Sequence, residues 1–320
     1  MIGGTRIADH PMKTTIAVLF FITSVFGQSQ IPKVLSNYKI AYNVLLDKAK
    51  DDYEIFVMNA DGSGKKNITN REGVDWVYTS FGKRIYFVSD RDTTYRKYFL
   101  YEMDADGNNV RRIGKFPVAD SWQGVRKNGT EFVVSSNKEQ RRNELYLIDR
   151  NGNEVRRLTN DTLYDNDPIF SPDGEQIVFR SKRGTKHDEL WIMRTDGSNL
   201  HRLTRYPEED TTAFIHSYHA GPPFWEPNNN FISYISNQQG RSSIFLIAPD
   251  GSGGRRFTAD TTMNEGWHSW SHDGLYLAVE CSDRENKKFS IFLFNNKGKM
   301  VKQLTNEHQF EQGPVFVRVP

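Results

Sequence analysis

The chain has 320 residues, of which 37% are hydrophobic, 13% aromatic and 26% charged, a composition too rich in aromatics for a disordered or fibrous protein. Lys and Arg number 42 against 40 Asp and Glu, a formal net charge of +2, and nothing at the level of the whole chain points to a polyanion-binding protein. Cys281 is the single cysteine, which excludes an internal disulfide framework and any multi-cysteine metal site.

In chain order, the first element is a targeting segment. From Met12 the sequence reads MKTTIAVLFFITSVFG, with Lys13 as a short positive region, an apolar run over 16–26, and small Ser24 and Gly27 before a polar QSQ. The run is shorter than the roughly 20 apolar residues a membrane span needs. The pattern predicts a signal peptide cleaved near Gly27, with Met12 as the start, and export to the periplasm or beyond. No cysteine follows that could carry a lipid, and no other stretch could form a transmembrane anchor. The expected organisation is extension and signal peptide over 1–27, a linker over 28–35 and one globular domain over 36–320.

Internal periodicity then governs the fold. Gly62, Gly107, Gly152, Gly197, Gly251 and Gly298 are spaced by 45, 45, 45, 54 and 47 residues. Seven residues before each stands Ile55, Leu100, Leu145, Leu190, Ile244 or Ile291, and six after each stands Ile68, Ile113, Leu158, Leu203, Phe257 or Leu304. Thr follows the second apolar residue in five units, and Gly114 takes its place in the other. Each unit reads as a hairpin whose Asp-Gly or Asn-Gly turn supplies positive φ, preceded by two further strands such as PIFSPDG and EQIVFRS. Four strands per 45–54 residues is propeller spacing. Residues 39–46 have no inner strand before them and 314–319 have no blade after them, so pairing the two closes the ring. The prediction is an all-β, six-bladed β-propeller of four-stranded antiparallel blades.

These units, reading IxxMxxDGSxxxxLT…PxFSPDGxxIxFxS, resemble the TolB-type, WD40-like propeller repeats over essentially the whole mature chain. The resemblance implies the propeller fold. It leaves function open, because such repeats serve in binding scaffolds, protease-gating domains and polysaccharide lyases.

In a propeller the loops leading into the innermost strands cluster at one mouth of the axis. Here they are 71–76, 118–122, 164–168, 219–223, 264–268 and 310–314. Alignment of the inner strands predicts Asp120, Asp165, Glu265 and Glu311 at equivalent positions near the axis, with Asp75 and Asp167 close by. Such a ring of carboxylates could hold a cation or bind an amine or sugar hydroxyls, or cap strand ends in repeat turns. The one long spacing falls on the loop 205–225, which brings His216, Tyr218 and His219, while Trp267 and His268 come from the neighbouring loop. His216, His219 and His268 are candidate ligands for a divalent transition metal, or hydrogen-bonding residues packed among loop aromatics. Arg91, Arg96, Arg142, Arg183 and Lys287 are among the cations of the second-to-third strand connections on the same face, an outer rim that would suit an anionic glycan or remain a solvated edge.

The favoured expectation is a non-catalytic, monomeric binding scaffold that holds a protein, peptide or glycan at this mouth. Nucleic acid is excluded by export without basic excess. The alternative is a metal-dependent uronate lyase similar to oligogalacturonate lyase.

Overall fold

A computed structural model of the chain describes residues 33–319 except 140–141, 162, 213–217, 229 and 259–261. The expected signal peptide, residues 28–32 of the expected linker and His216 therefore lie outside the described residues. Six four-stranded antiparallel sheets make up the domain, after a short 3-10 turn over Lys33–Asn37. The inner strands are Glu311–Arg318, Asp75–Phe81, Gly124–Arg126, Asp165–Phe170, Gly221–Trp225 and Asn264–Trp270 for blades one to six. Blade one takes its inner strand from the C-terminal end: Tyr38–Asp47 pairs on one side with Asp52–Asn59 and on the other with Glu311–Arg318. This closure removes the exposed sheet edge that an open array would present.

The repeat signals correspond to packing. Ile55, Leu100, Leu145, Leu190, Ile244 and Ile291 are all completely buried, each in a third strand. The turn glycines and the second set of apolar residues form a single contact that recurs between neighbouring blades. A Cβ at Gly298 would stand 2.6 Å from the Phe257 carbonyl oxygen of the preceding blade, and one at Gly251 would stand 3.2 Å from that of Leu203. Gly107, Gly152 and Gly197 meet Ile68, Ile113 and Leu158 in the same way, and Gly62 meets Leu304 across the ring closure. Only glycine combines positive φ (74° at Gly298) with that approach.

Candidate binding site

The cross-strand register assigns the carboxylates their places. Asp75 faces Ser89, Asp165 faces Ser181, Glu265 faces Cys281 and Glu311 faces Val44, so these four are the equivalent residues at the start of inner strands. Asp120 does not join them: blade three has a shortened inner strand that starts only at Gly124. This corrects the predicted alignment, and the cause is local, since the chain between 114 and 123 forms no strand from which register could be read.

All four equivalent acids are buried, and Asp75, Asp165 and Glu265 are bonded within the blades. Ser89 donates to Asp75 at 2.5 Å and the Arg91 guanidinium reaches it at 2.7 Å. Arg183 pairs with Asp165 in the same manner and lies over the Phe179 and Trp191 rings. Two cations of the predicted rim are thereby folded inward as clamps. Glu265 and Glu311 do other work. In blade four, Thr204 donates to Glu189 at 2.6 Å and accepts from the Leu190 N–H at 2.8 Å. Blade five has Ser243 where blade four has Glu189, and Glu265 reaches back from the next inner strand to accept from Thr258 at 2.5 Å and from the Ile244 N–H at 2.9 Å. Blade six likewise has Ser290, and Glu311 lies beside Thr305.

Asp120 and Asp167 have a different setting. They line a cavity of about 230 Å³ to which all six blades or their loops contribute, so it lies on the axis. Seven of its lining residues are aromatic, among them Trp76, Trp122, Trp267, Tyr98 and Tyr218. Trp267 packs edge-to-face on Trp76 and Trp122, with ring centroids 5.5 and 5.2 Å apart, which fixes the wall. Tyr78 donates to Asp120 at 2.5 Å, and the Asp120 side chain keeps 46% of its surface exposed at the mouth. Asp167 is buried in an inner-strand irregularity with φ 58°. The equivalent residue of blade one is Gly313, at φ 57°. Asp167 is held in this costly conformation by the Ser121 hydroxyl, which accepts from its N–H at 2.7 Å, and by Arg180 at 2.7 Å. Arg180 in turn stacks on the Tyr218 ring at 5.0 Å.

Tyr218 and Trp267 also wall a second cavity, of about 390 Å³, with Asn237, Asn264, Asn286, Gln312 and Glu280. Glu280 accepts from the Gly313 N–H at 3.0 Å. Burial pushes its carboxyl up to about 8, against the hydrogen bonds from Gly313 and Gln312 that favour the charge, so it is protonated at neutral pH. Burial lifts the Tyr218 phenol to about 12, and it too stays neutral. Arg180, Glu280 and the tryptophans Trp76 and Trp122 were not singled out from the sequence. The tryptophans had a signal there, since three of the six loops leading to the mouth carry one.

The histidines separate. His268 is buried; its Nε2 meets the Ser233 hydroxyl at 2.8 Å and its Nδ1 faces the Gly266 carbonyl at 3.3 Å, and burial lowers its pKa to about 4. His219 instead packs against His187, with centroids 4.2 Å apart, and against Tyr206. No contact joins His219 to His268. Among the described residues, no group of three or more His, Cys, Asp or Glu is placed to hold a metal ion, and His268, with both nitrogens engaged, does not fit as a ligand.

No family model matches the chain, and no curated protein matches it in sequence. Its fold does match solved structures. TolB from Acinetobacter baumannii superposes with a TM-score of 0.69 at 19% identity, over 90% of this chain and 68% of that one. A chain of a nidogen/laminin complex gives 0.62 at 8% identity, over 88% and 98%, and an oligogalacturonate lyase in complex with manganese gives 0.52 at 16%, over 78% and 70%. The chain thus has a TolB-like six-bladed propeller fold. Likeness at these identities extends to the fold alone.

Proposed function

We propose that this TolB-like propeller is an exported, non-catalytic binding scaffold that takes its ligand at the axial mouth. The supporting observation is the contrast between the repeat-derived acids and the cavity on the axis. Asp75 and Asp165 are held by serine and arginine within their blades and line neither cavity, whereas Asp120, Tyr218 and Trp267 border an open, aromatic-lined cavity. Concave apolar surface with a few convergent polar groups is the usual form of a ligand site. Export rests on the signal-like segment over 12–27, and no described helix is long and apolar enough to cross a membrane.

Two measurements test the reading. Cell fractionation with N-terminal sequencing should recover an extracytoplasmic product beginning near residue 28; a cytoplasmic, full-length product would overturn export. Incubation with oligosaccharide and peptide panels, followed by mass spectrometry, should return bound ligand chemically unchanged. Deletion of 206–218, which removes Tyr218, should abolish capture. Ligand returned cleaved, or capture unaffected by the deletion, would overturn the scaffold reading.

A further inference from the structure

The two cavities share Tyr218 and Trp267 as a common wall, so they are adjacent compartments on either side of these two side chains. Both cations of the aromatic compartment are already neutralised. Arg96 pairs with Asp51 at 2.6 Å, and Arg180 pairs with Asp167 at 2.7 Å and Asp188 at 3.5 Å. With Asp120 added, this end of the mouth carries more negative than positive charge. It offers no uncompensated guanidinium to a carboxylate or phosphate, which disfavours uronates and other anions.

Unused hydrogen-bonding capacity narrows the class further. Among the described residues the Tyr98 hydroxyl and the Trp76 indole N–H, on side chains only 5% and 7% exposed, have no partner, and both residues line the aromatic compartment. The buried Asn237 Oδ1 is an unpartnered acceptor on a residue that lines the other. Groups of this kind need a partner from water or a ligand, and a ligand that enters the cavity must take over the hydrogen bonds of the water it displaces. An ammonium group offers only donors and would leave the Trp76 N–H unpaired. A hydroxyl both donates and accepts, and a pyranose joins several hydroxyls to an apolar face that packs on aromatic rings.

Resting on the scaffold reading, we infer that the mouth binds a neutral oligosaccharide, with one sugar in the aromatic compartment, the next among the amides of Asn237, Asn264 and Gln312, and Tyr218 and Trp267 between them. Neutrality of the Glu280 carboxyl is consistent with an uncharged ligand in the second compartment, where Glu265, which also lines it, is turned to the Thr258 hydroxyl and the Ile244 N–H.

The test uses the full chain with an array of neutral gluco-, manno-, galacto- and N-acetylhexosamine-based oligosaccharides, beside tetragalacturonate and tetralysine. At least one neutral oligosaccharide should bind and change the tryptophan emission. Tyr98→Phe, which removes one oxygen and leaves the packing, should weaken that binding about tenfold with an unchanged Tm, and Trp267→Phe should weaken it further. Full affinity in both variants would overturn the site. Binding of tetragalacturonate or tetralysine in preference, or of no neutral glycan at all, would overturn the ligand class. In those cases the scaffold reading stands or falls separately, on peptide capture and its loss in the 206–218 deletion.

Discussion

In every blade the repeat Ile or Leu of the third strand faces one residue of the second strand, and the two partners vary differently around the ring. The third-strand residues Ile55, Leu100, Leu145, Leu190, Ile244 and Ile291 are uniform in type and fully buried. Opposite them stand Asn43, Val88, Ser135, Arg180, Ile235 and Glu280 in turn. Opposed residues of an antiparallel pair share a sheet face and are the unit of sheet packing. The uniform position is wholly buried in every blade whatever stands opposite it, so one type of apolar side chain suffices. The variable one meets something particular in each blade: Val77 backbone for Asn43, Asp167 for Arg180, Gly313 for Glu280. Position in the ladder provides the scaffold, and the identity at one variable rung shapes the mouth.

The largest expected effect tests the variable rung. Glu280 is raised from 4.5 to about 8, so between these values the unfolded chain releases a proton that the folded chain keeps. Stability should therefore fall as pH rises through that window, by roughly 5 kcal/mol in all, and Glu280→Gln should remove the loss. Urea unfolding at several pH values checks this, and a wild type and variant that run parallel would contradict the buried, neutral carboxyl. His268 works in the opposite direction, because its lowered pKa costs stability as pH falls below its ordinary value near 6.5.

Next, Leu190→Ala at the uniform rung should cost roughly 3 kcal/mol through cavity formation, read as a lowered Cm with unchanged m-value. A much smaller loss would mean that the interface repacks. Asn43→Ala should cost about 2 kcal/mol, because it strips partners from the buried Val77 N–H and C=O, now bonded at 2.7 and 3.2 Å. The smallest effect, about 1 kcal/mol, is expected of Ser135→Ala, whose hydroxyl donates at 2.6 Å to the Asp165 carbonyl. If Ser135→Ala proved as damaging as Leu190→Ala, the distinction between the rungs would fail.

The blade count, the closing strand pair and the buried Ile or Leu of each third strand were legible because a repeated unit must solve the same packing problem six times. The inner-strand acids were legible as a set, except that Asp120 was placed among them in error and Asp75 left outside. What spacing could not convey was their use: the ring brings Glu265 and Glu311 against Thr258 and Thr305, whose blades lack the glutamate of blade four, and leaves Glu265 beside the second cavity. His219 and His268 lie close in an alignment of loops yet face different blades, because loop conformation is set by non-local contacts such as His187 and Ser233.

By itself, the sequence determined the architecture of this protein, since hydrophobic period, turn glycines and register are local and recur. Only the tertiary structure decided the mouth. Its cavity draws residues from all six blades or their loops, most of them differing from blade to blade, and their convergence depends on loop conformations that no local pattern encodes.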